Sequence, residues 1–369
     1  MTERLNQLLR DEADRLDVPP VPADATLGRG RALRRRRTAA MVGVTAAALA
    51  VTGGIVVAVS GGDGDRAIEP APSPTAAAAD VPAFGFGSKV HLGGRTATVP
   101  DTVHSLHYTS EGVLVRSNPN DGGSDGSGPE SLTLVRYDGT TTDLGTVPEG
   151  VGPATDPTEP VYVLAEERGD GFVAVVRDAT TGETTDEVPL PDLPPSYWEV
   201  PPLALDGDTL YVGYKSEAVA VDLGAGEHEV VDGMSGGIPE VADGRFLSAK
   251  GTSISVIDAG SGEPVSTIEV GHDAWGTLSP DGRYLGVATF NDETFQNDYA
   301  VYDVASGDPV DLGPLSRGQD LGWTAAGSAC AVVKGSLTTC DLATGDCSKV
   351  EAPVPADAFV KLGGRIYES

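Results

Sequence analysis

Four groups of residues have types and spacings that could do chemistry. Gly233-Met234-Ser235-Gly236-Gly237 matches the G-x-S-x-G pattern of an acyl-transfer nucleophile. That chemistry needs a strand before the serine and a helix after it, to hold the hydroxyl on a strained turn. Here Ile238-Pro239-Glu240 follows, a turn and then a strand, so the match reads as chance within a glycine-rich linker. His104 and His107 lie three apart. On a strand that spacing sends them to opposite faces, where they cannot share one metal ion. His91, His228 and His272 are isolated, and no zinc site is expected. Asn118 to Gly128 crowds oxygen ligands together, but the spacing matches no regular calcium loop and reads as a flexible polar loop. The expectation is therefore no catalytic, cofactor-binding or metal-ligating residue and no cofactor. An enzyme of lyase or quinoprotein type ranks last among the function classes.

The cysteines and tryptophans are more informative. Cys340 and Cys347 flank one turn symmetrically and are expected to form a disulfide if the chain is exported. A Cys330–Cys340 pair is the alternative, with Cys330 otherwise a buried thiol. Trp198 and Trp275 are the amphipathic side chains expected on a ligand surface, whereas Trp323, and Trp275 in a second reading, could pack between structural units.

The elements that must position these residues repeat. Asp178-Ala-Thr-Thr-Gly182-Glu183 recurs at Asp222–Glu227, Asp258–Glu263, Asp303–Asp308 and Asp341–Asp346, with glycines 44, 36, 45 and 38 residues apart. Each copy follows a short β-rich run and precedes a more polar one. In such a turn the Asp carboxylate accepts hydrogen bonds from the turn amides and Gly takes the positive-φ position. Asp138-Gly139-Thr140 is a shorter version one repeat earlier. A repeat near 40 residues holding four short strands predicts an all-β propeller, because one blade cannot bury both faces alone and stacked blades can.

A second repeated element sits upstream of the turns. Leu278-Ser279-Pro280-Asp281-Gly282-Arg283-Tyr284-Leu285 closely resembles the Ser-Pro-Asp-Gly-Arg element of WD-like repeats in bacterial TolB-type domains. Weaker copies stand at Asp206–Leu210, Asp243–Leu247 and Trp323–Gly327. The resemblance implies the propeller fold and says little about activity. Six blades are read between His104 and Val350. A seventh is expected from the two ends, with Phe359–Tyr367 and Lys89–Val99 supplying two strands each; six or eight blades are the alternatives.

The N-terminal quarter has a different logic. Ala39 to Val59 carries no charge over 21 residues and follows Arg34-Arg35-Arg36-Arg37. As a helix it would span about 30 Å, the thickness of a bilayer's hydrocarbon core. The arginines would keep the N-terminus in the cytoplasm. A cleaved signal peptide is the alternative, but secretory apolar regions are shorter. The expected organisation is a cytoplasmic tail (1–38) with a short amphipathic helix, a transmembrane helix (39–60), a Pro/Ala/Gly linker (61–83) and an extracytoplasmic propeller (84–369). The chain is thus expected in the cell membrane as a single-pass protein. Its arginine-rich tail is similar to those of actinobacterial single-pass proteins associated with sigma factors, which implies a sigma factor as a tail partner and an anti-sigma role as the second function reading. The leading reading is a non-catalytic recognition module for an external protein, peptide or glycan.

The formal net charge is −30. Residues 1–38 hold nine arginines against six acids, so they carry +3 and leave −33 on the rest. Such a field repels phosphate backbones, which argues against nucleic acid as an outer partner; it reads first as solubility in a high-salt or wall-associated setting, and second as attraction for cations or a basic partner.

Overall fold

The computed structural model describes residues 80–123, 128–195, 199–234, 237–272, 274–291, 296–317, 320–352, 354–355 and 358–364. The tail, the apolar run and most of the linker, with Arg34 to Arg37, lie outside the described residues, as do Trp198 and Ser235. Among the described residues no helix is long and apolar enough to cross a membrane.

The described strands form seven four-stranded antiparallel sheets, each a blade of one propeller. Blade 2 shows the pattern. Its strands are Thr102–Thr109, Gly112–Asn118, Glu130–Arg136 and Thr141–Val147. The second is buried at every position, because blades cover both its faces, and Val113-Leu114-Val115 reads as a continuous apolar run for that reason. The fourth alternates polar residues at the outer edge and is largely exposed. Blades 3 to 7 occupy 154–189, 203–230, 241–269, 274–310 and 322–351. First strands of successive blades approach one another and line the central channel. Apolar clusters fill the gaps between blades: Val163, Ala174, Leu205 and Val212, for example, join blades 3 and 4.

The repeated turns fall where the sequence places them, between the third and fourth strands. Asp178 Oδ1 accepts the Thr180 and Thr181 amides at 2.8 and 2.9 Å, and Gly182 takes φ 72°. Asp222, Asp258, Asp303 and Asp341 do the same. The Thr180 hydroxyl and these amides outweigh slight burial and hold the Asp178 carboxyl below the usual range.

Ring closure differs from expectation. Blade 1 takes three strands from the N-terminal side, Ala83–Phe86, Lys89–Leu92 and Arg95–Thr98, and one from the C-terminal side, Lys361–Leu362. The C-terminal strand is innermost and pairs with Ala83–Phe86 (Phe84↔Leu362, Gly85↔Lys361). The two-plus-two division fails because Ala83-Phe84-Gly85-Phe86, at the boundary of linker and propeller, is itself a strand of blade 1. Its alanine and phenylalanines are a core strand, with Ala83 and Phe84 buried. Gly322, at the start of blade 7, is needed there: a Cβ would lie 2.7 Å from that of Leu362.

Cys340 and Cys347 face each other across the last two strands of blade 7 and are disulfide-bonded. Cys330 is a free, buried thiol pushed up to about 12 by burial and the nearby Asp80 carboxylate, and is inert at neutral pH. Closing so short a loop contributes about 2.5 kcal/mol by chain entropy. Reduction should therefore lower the melting temperature by about 5 °C in calorimetry, with Cys330 unreactive to thiol reagents until the chain unfolds.

Candidate binding face and channel cavity

In an antiparallel four-stranded blade the first–second and third–fourth turns lie at the same end. Around the ring these ends make one face. Its rim carries the five Asp/Glu turns. Nearer the channel stand the Asp-Gly elements of the first–second turns, and the structure explains why these dipeptides recur. Asp156 Oδ2 of blade 3 accepts the Gly207 amide of blade 4 at 2.7 Å. Asp206 Oδ2 of blade 4 accepts the Gly244 amide of blade 5 at 2.9 Å. The Arg245 guanidinium of blade 5 donates to the Gly282 carbonyl of blade 6. Blades 3 to 6 are thus pinned one to the next through a glycine backbone at a turn.

At the centre of this face the channel opens into a cavity of about 100 Å³. Its lining combines His107 and Tyr108 of blade 2, Asp156, Asp206, Glu240 and Asp243 of blades 3 to 5, and Leu278 and Pro280 of blade 6. Glu240 is strongly perturbed. It is 9 % exposed, and its Oε1 accepts the Leu278 amide across the blade interface at 2.8 Å. Burial pushes its carboxyl up to about 8, against the stabilising effect of that amide.

This has a consequence for stability. Between its ordinary value of 4.5 and about 8, the folded chain keeps a proton that the unfolded chain releases. Glu240's contribution is therefore complete below 4.5 and is lost as pH rises to about 8. Glu240→Gln keeps an acceptor for Leu278 but cannot ionise. Relative to wild type, its melting temperature should rise by about 5 °C between pH 5 and pH 8.5, measured by calorimetry.

At the opposite end of blade 2 lies a second polar group, buried throughout. Glu130 receives His104 Nδ1 at 2.8 Å, Arg116 Nη2 at 2.5 Å and Asn118 Nδ2 at 2.9 Å. All four side chains are at most 2 % exposed. Burial pushes the Glu130 carboxyl up, but the His104 hydrogen bond, the Arg116 charge and Asn118 together hold it below the usual range. The Asn118 side chain also accepts the Asn120 and Gly122 amides and donates to the Gly123 carbonyl, which ties down the start of the polar loop. A β-bulge at Val103/Ser105 disturbs the strand alternation, yet the two histidines still part: His104 turns to Glu130 and His107 to Ser105 Oγ and the cavity. Sequence reasoning did not flag Glu130 or Arg116. The available signal was a charged residue inside an apolar strand run, Val113-Leu-Val-Arg116.

Trp275 stands half-buried near the start of the first strand of blade 6, at the channel end away from the acidic turns. With Tyr299 and Leu321 it lines a slot of about 20 Å³ over Gly286 and Ala288. Trp323 is fully buried and packs blade 7 against Tyr284 and Leu321. Among the described residues no group of three or more His, Cys, Asp or Glu side chains could hold a metal ion.

The class that this topology defines is a seven-bladed β-propeller closed by the C-terminal strand Lys361–Leu362. No protein-family model matches the sequence, and no curated protein matches it. Among solved structures it is similar to TolB from Acinetobacter baumannii, with 11 % identity over 77 % of this chain and 65 % of that one and a TM-score of 0.39. It is similar to the WD40 domain of Toxoplasma gondii coronin at 13 % identity, 74 % and 77 % coverage and a TM-score of 0.41. A putative 6-phosphogluconolactonase from Bacteroides fragilis gives 15 %, 78 %, 99 % and 0.44. Binding propellers and enzymes stand side by side at these levels, so the fold assignment rests on the sheet topology, and activity must be argued from the site.

Proposed function

We propose that the chain is a membrane-tethered, extracytoplasmic recognition module whose acidic turn face binds a basic protein or peptide. The observation that carries this reading is the collection of the Asp/Glu turns and the channel-mouth carboxylates on one end of the ring. A one-sign surface around a concave centre steers and orients an oppositely charged partner. The tether rests on the uncharged run Ala39 to Val59 behind Arg34–Arg37. The disulfide in blade 7 supports an oxidising, external location.

Two experiments test it. Protease added to intact cells should digest the propeller and spare the tail; the reverse result refutes the topology. Cross-linking on intact cells should capture a basic partner through the full-length protein. Glu183→Lys, Glu227→Lys and Glu263→Lys together should reduce that capture at least tenfold, since exposed rim charges act mainly through the field they create. Unchanged capture by the triple variant refutes the acidic face.

A further inference from the structure

The cavity at the channel mouth gathers four acids, Asp156, Asp206, Glu240 and Asp243, and Gly364 forms part of the same lining. Asp206 is 7 % exposed, and its Oδ2 accepts the Gly244 amide at 2.9 Å, which holds its carboxylate beside the turn that carries Asp243. Two anions on adjoining turns repel each other unless a cation lies across them. Asp206, Asp243 and His107 each engage a further partner. Glu240 asks for no cation, because burial keeps it protonated up to about 8 and its Oε1 accepts the Leu278 amide. The path of the chain leads to the two aspartates. Gly363 donates to the Ala83 carbonyl at 2.9 Å and accepts the Trp323 amide at 3.2 Å. Gly364 follows with φ 69°, at a place where a Cβ would lie 2.7 Å from the Trp323 carbonyl oxygen. These contacts deliver the chain to the cavity wall. The next residue is Arg365, one Cα step of about 3.8 Å beyond Gly364. It lies outside the described residues.

We propose that Arg365 seats its guanidinium at the mouth of this cavity, forked across the carboxylates of Asp206 and Asp243, so that the chain stoppers its own channel. A planar guanidinium with five donors suits two carboxylates at once, which a lysine ammonium does less well. The seat also ties the closing strand of blade 1 across the channel to blades 4 and 5. It bears on recognition as well. A basic partner that docks on the acidic face meets this arginine at the channel mouth and must displace it to reach the two aspartates. That competition rests on the recognition reading; the seat itself does not.

The test is arginine modification of the full-length protein by phenylglyoxal, read residue by residue from peptide masses. Arg365 should react at least tenfold more slowly than the exposed Arg95. The wild-type measurement needs no variant. In Asp206→Asn with Asp243→Asn, checked for a cooperative melt, the difference should vanish. A second measurement locates the seat. Arg365→Lys treated with a water-soluble carbodiimide should form an amide between the introduced amine and Asp206 or Asp243. The amine attacks the activated carboxyl carbon, and the displaced carboxyl oxygen leaves on the carbodiimide as its urea. Arg365 as reactive as Arg95, or cross-linked products that include neither aspartate, overturns the seat and leaves the cavity to another occupant. Partner capture on intact cells then separates the two readings. Arg365→Gln should capture the basic partner at least threefold better than wild type. Equal capture with Arg365 still protected overturns the competition and keeps the seat. Failure of the recognition reading shows instead as unchanged capture by the triple rim variant, and leaves the protection of Arg365 as it was.

Discussion

Glu130→Gln should lower the melting temperature by about 10 °C, the largest effect expected from any single side chain in blade 2. The reason is asymmetry. Glu130 is the acceptor on which His104, Arg116 and Asn118 converge, all of them buried. Removing the carboxylate's charge takes the Glu130 anion away from the buried Arg116 guanidinium in a low-dielectric interior. Breaking a buried pair from one side costs about 3–5 kcal/mol. In a domain of this size each kcal/mol moves the midpoint by about 2–4 °C. Replacing both charges should be milder than replacing one: Arg116→Met with Glu130→Leu should melt above Glu130→Leu alone, because no ion is then left unpaired. The pH dependence follows from the depressed Glu130 value. Its contribution is present above its ordinary value of 4.5 and is lost as pH falls through the lower folded value, so wild type and Glu130→Gln should converge in strong acid. Calorimetric scans from pH 3 to 8 check both statements. A constant gap across that range would remove Glu130 as the source.

Leu362→Asp should have the second large effect, and on cooperativity as well as on the midpoint. Leu362 is 3 % exposed and packs with Phe84, Cys330, Leu337 and Ala352 between blades 7 and 1. It belongs to the strand Lys361–Leu362 that, among the described residues, the C-terminal side gives to blade 1. The residue after it, Gly363, donates to the Ala83 carbonyl at 2.9 Å and accepts the Trp323 amide at 3.2 Å, so one short segment ties blade 7 to blade 1. Ala83 in turn donates to the Tyr108 hydroxyl of blade 2 at 2.7 Å. A carboxylate at this seam buries an unpaired charge and removes an apolar anchor, at a cost above about 4 kcal/mol. With the ring open, the edges of blades 1 and 7 are free to pair with other chains. The expected result is a broad, lower transition accompanied by concentration-dependent association in sedimentation. A sharp, monomeric melt near that of wild type would show that closure does not depend on this strand.

The turns were legible because each is a local event. An Asp carboxylate four residues before a glycine is enough to fold its own turn amides, and the five copies give the repeat length and hence the propeller. The buried Cys330 was legible through alignment with Leu285; both are fully buried on second strands of their blades. Blade 1 was less so, since a two-residue strand such as Lys361–Leu362 has no periodicity to read and acquires its strand character only from pairing with Phe84 and Gly85. Glu240 gave no signal at all. In the chain it sits between a proline and a valine, beside no other acid closer than Asp243.

The sequence by itself determined the all-β repeat, the position of the hairpin turns and the strongly acidic balance beyond residue 38, because each depends on neighbours in the chain or on composition, whereas the choice of Cys347 over Cys330 as the partner of Cys340 came from the structure. Only the tertiary structure decided that blade 1 is built three-plus-one, that turn residues pin blades 3 to 6 one to the next through glycine backbones, and that acids as far apart in sequence as Asp156 and Asp243 meet around one cavity. Those facts depend on which ends of separate antiparallel sheets come to lie together, and closure of the ring sets that through contacts between residues far apart in sequence.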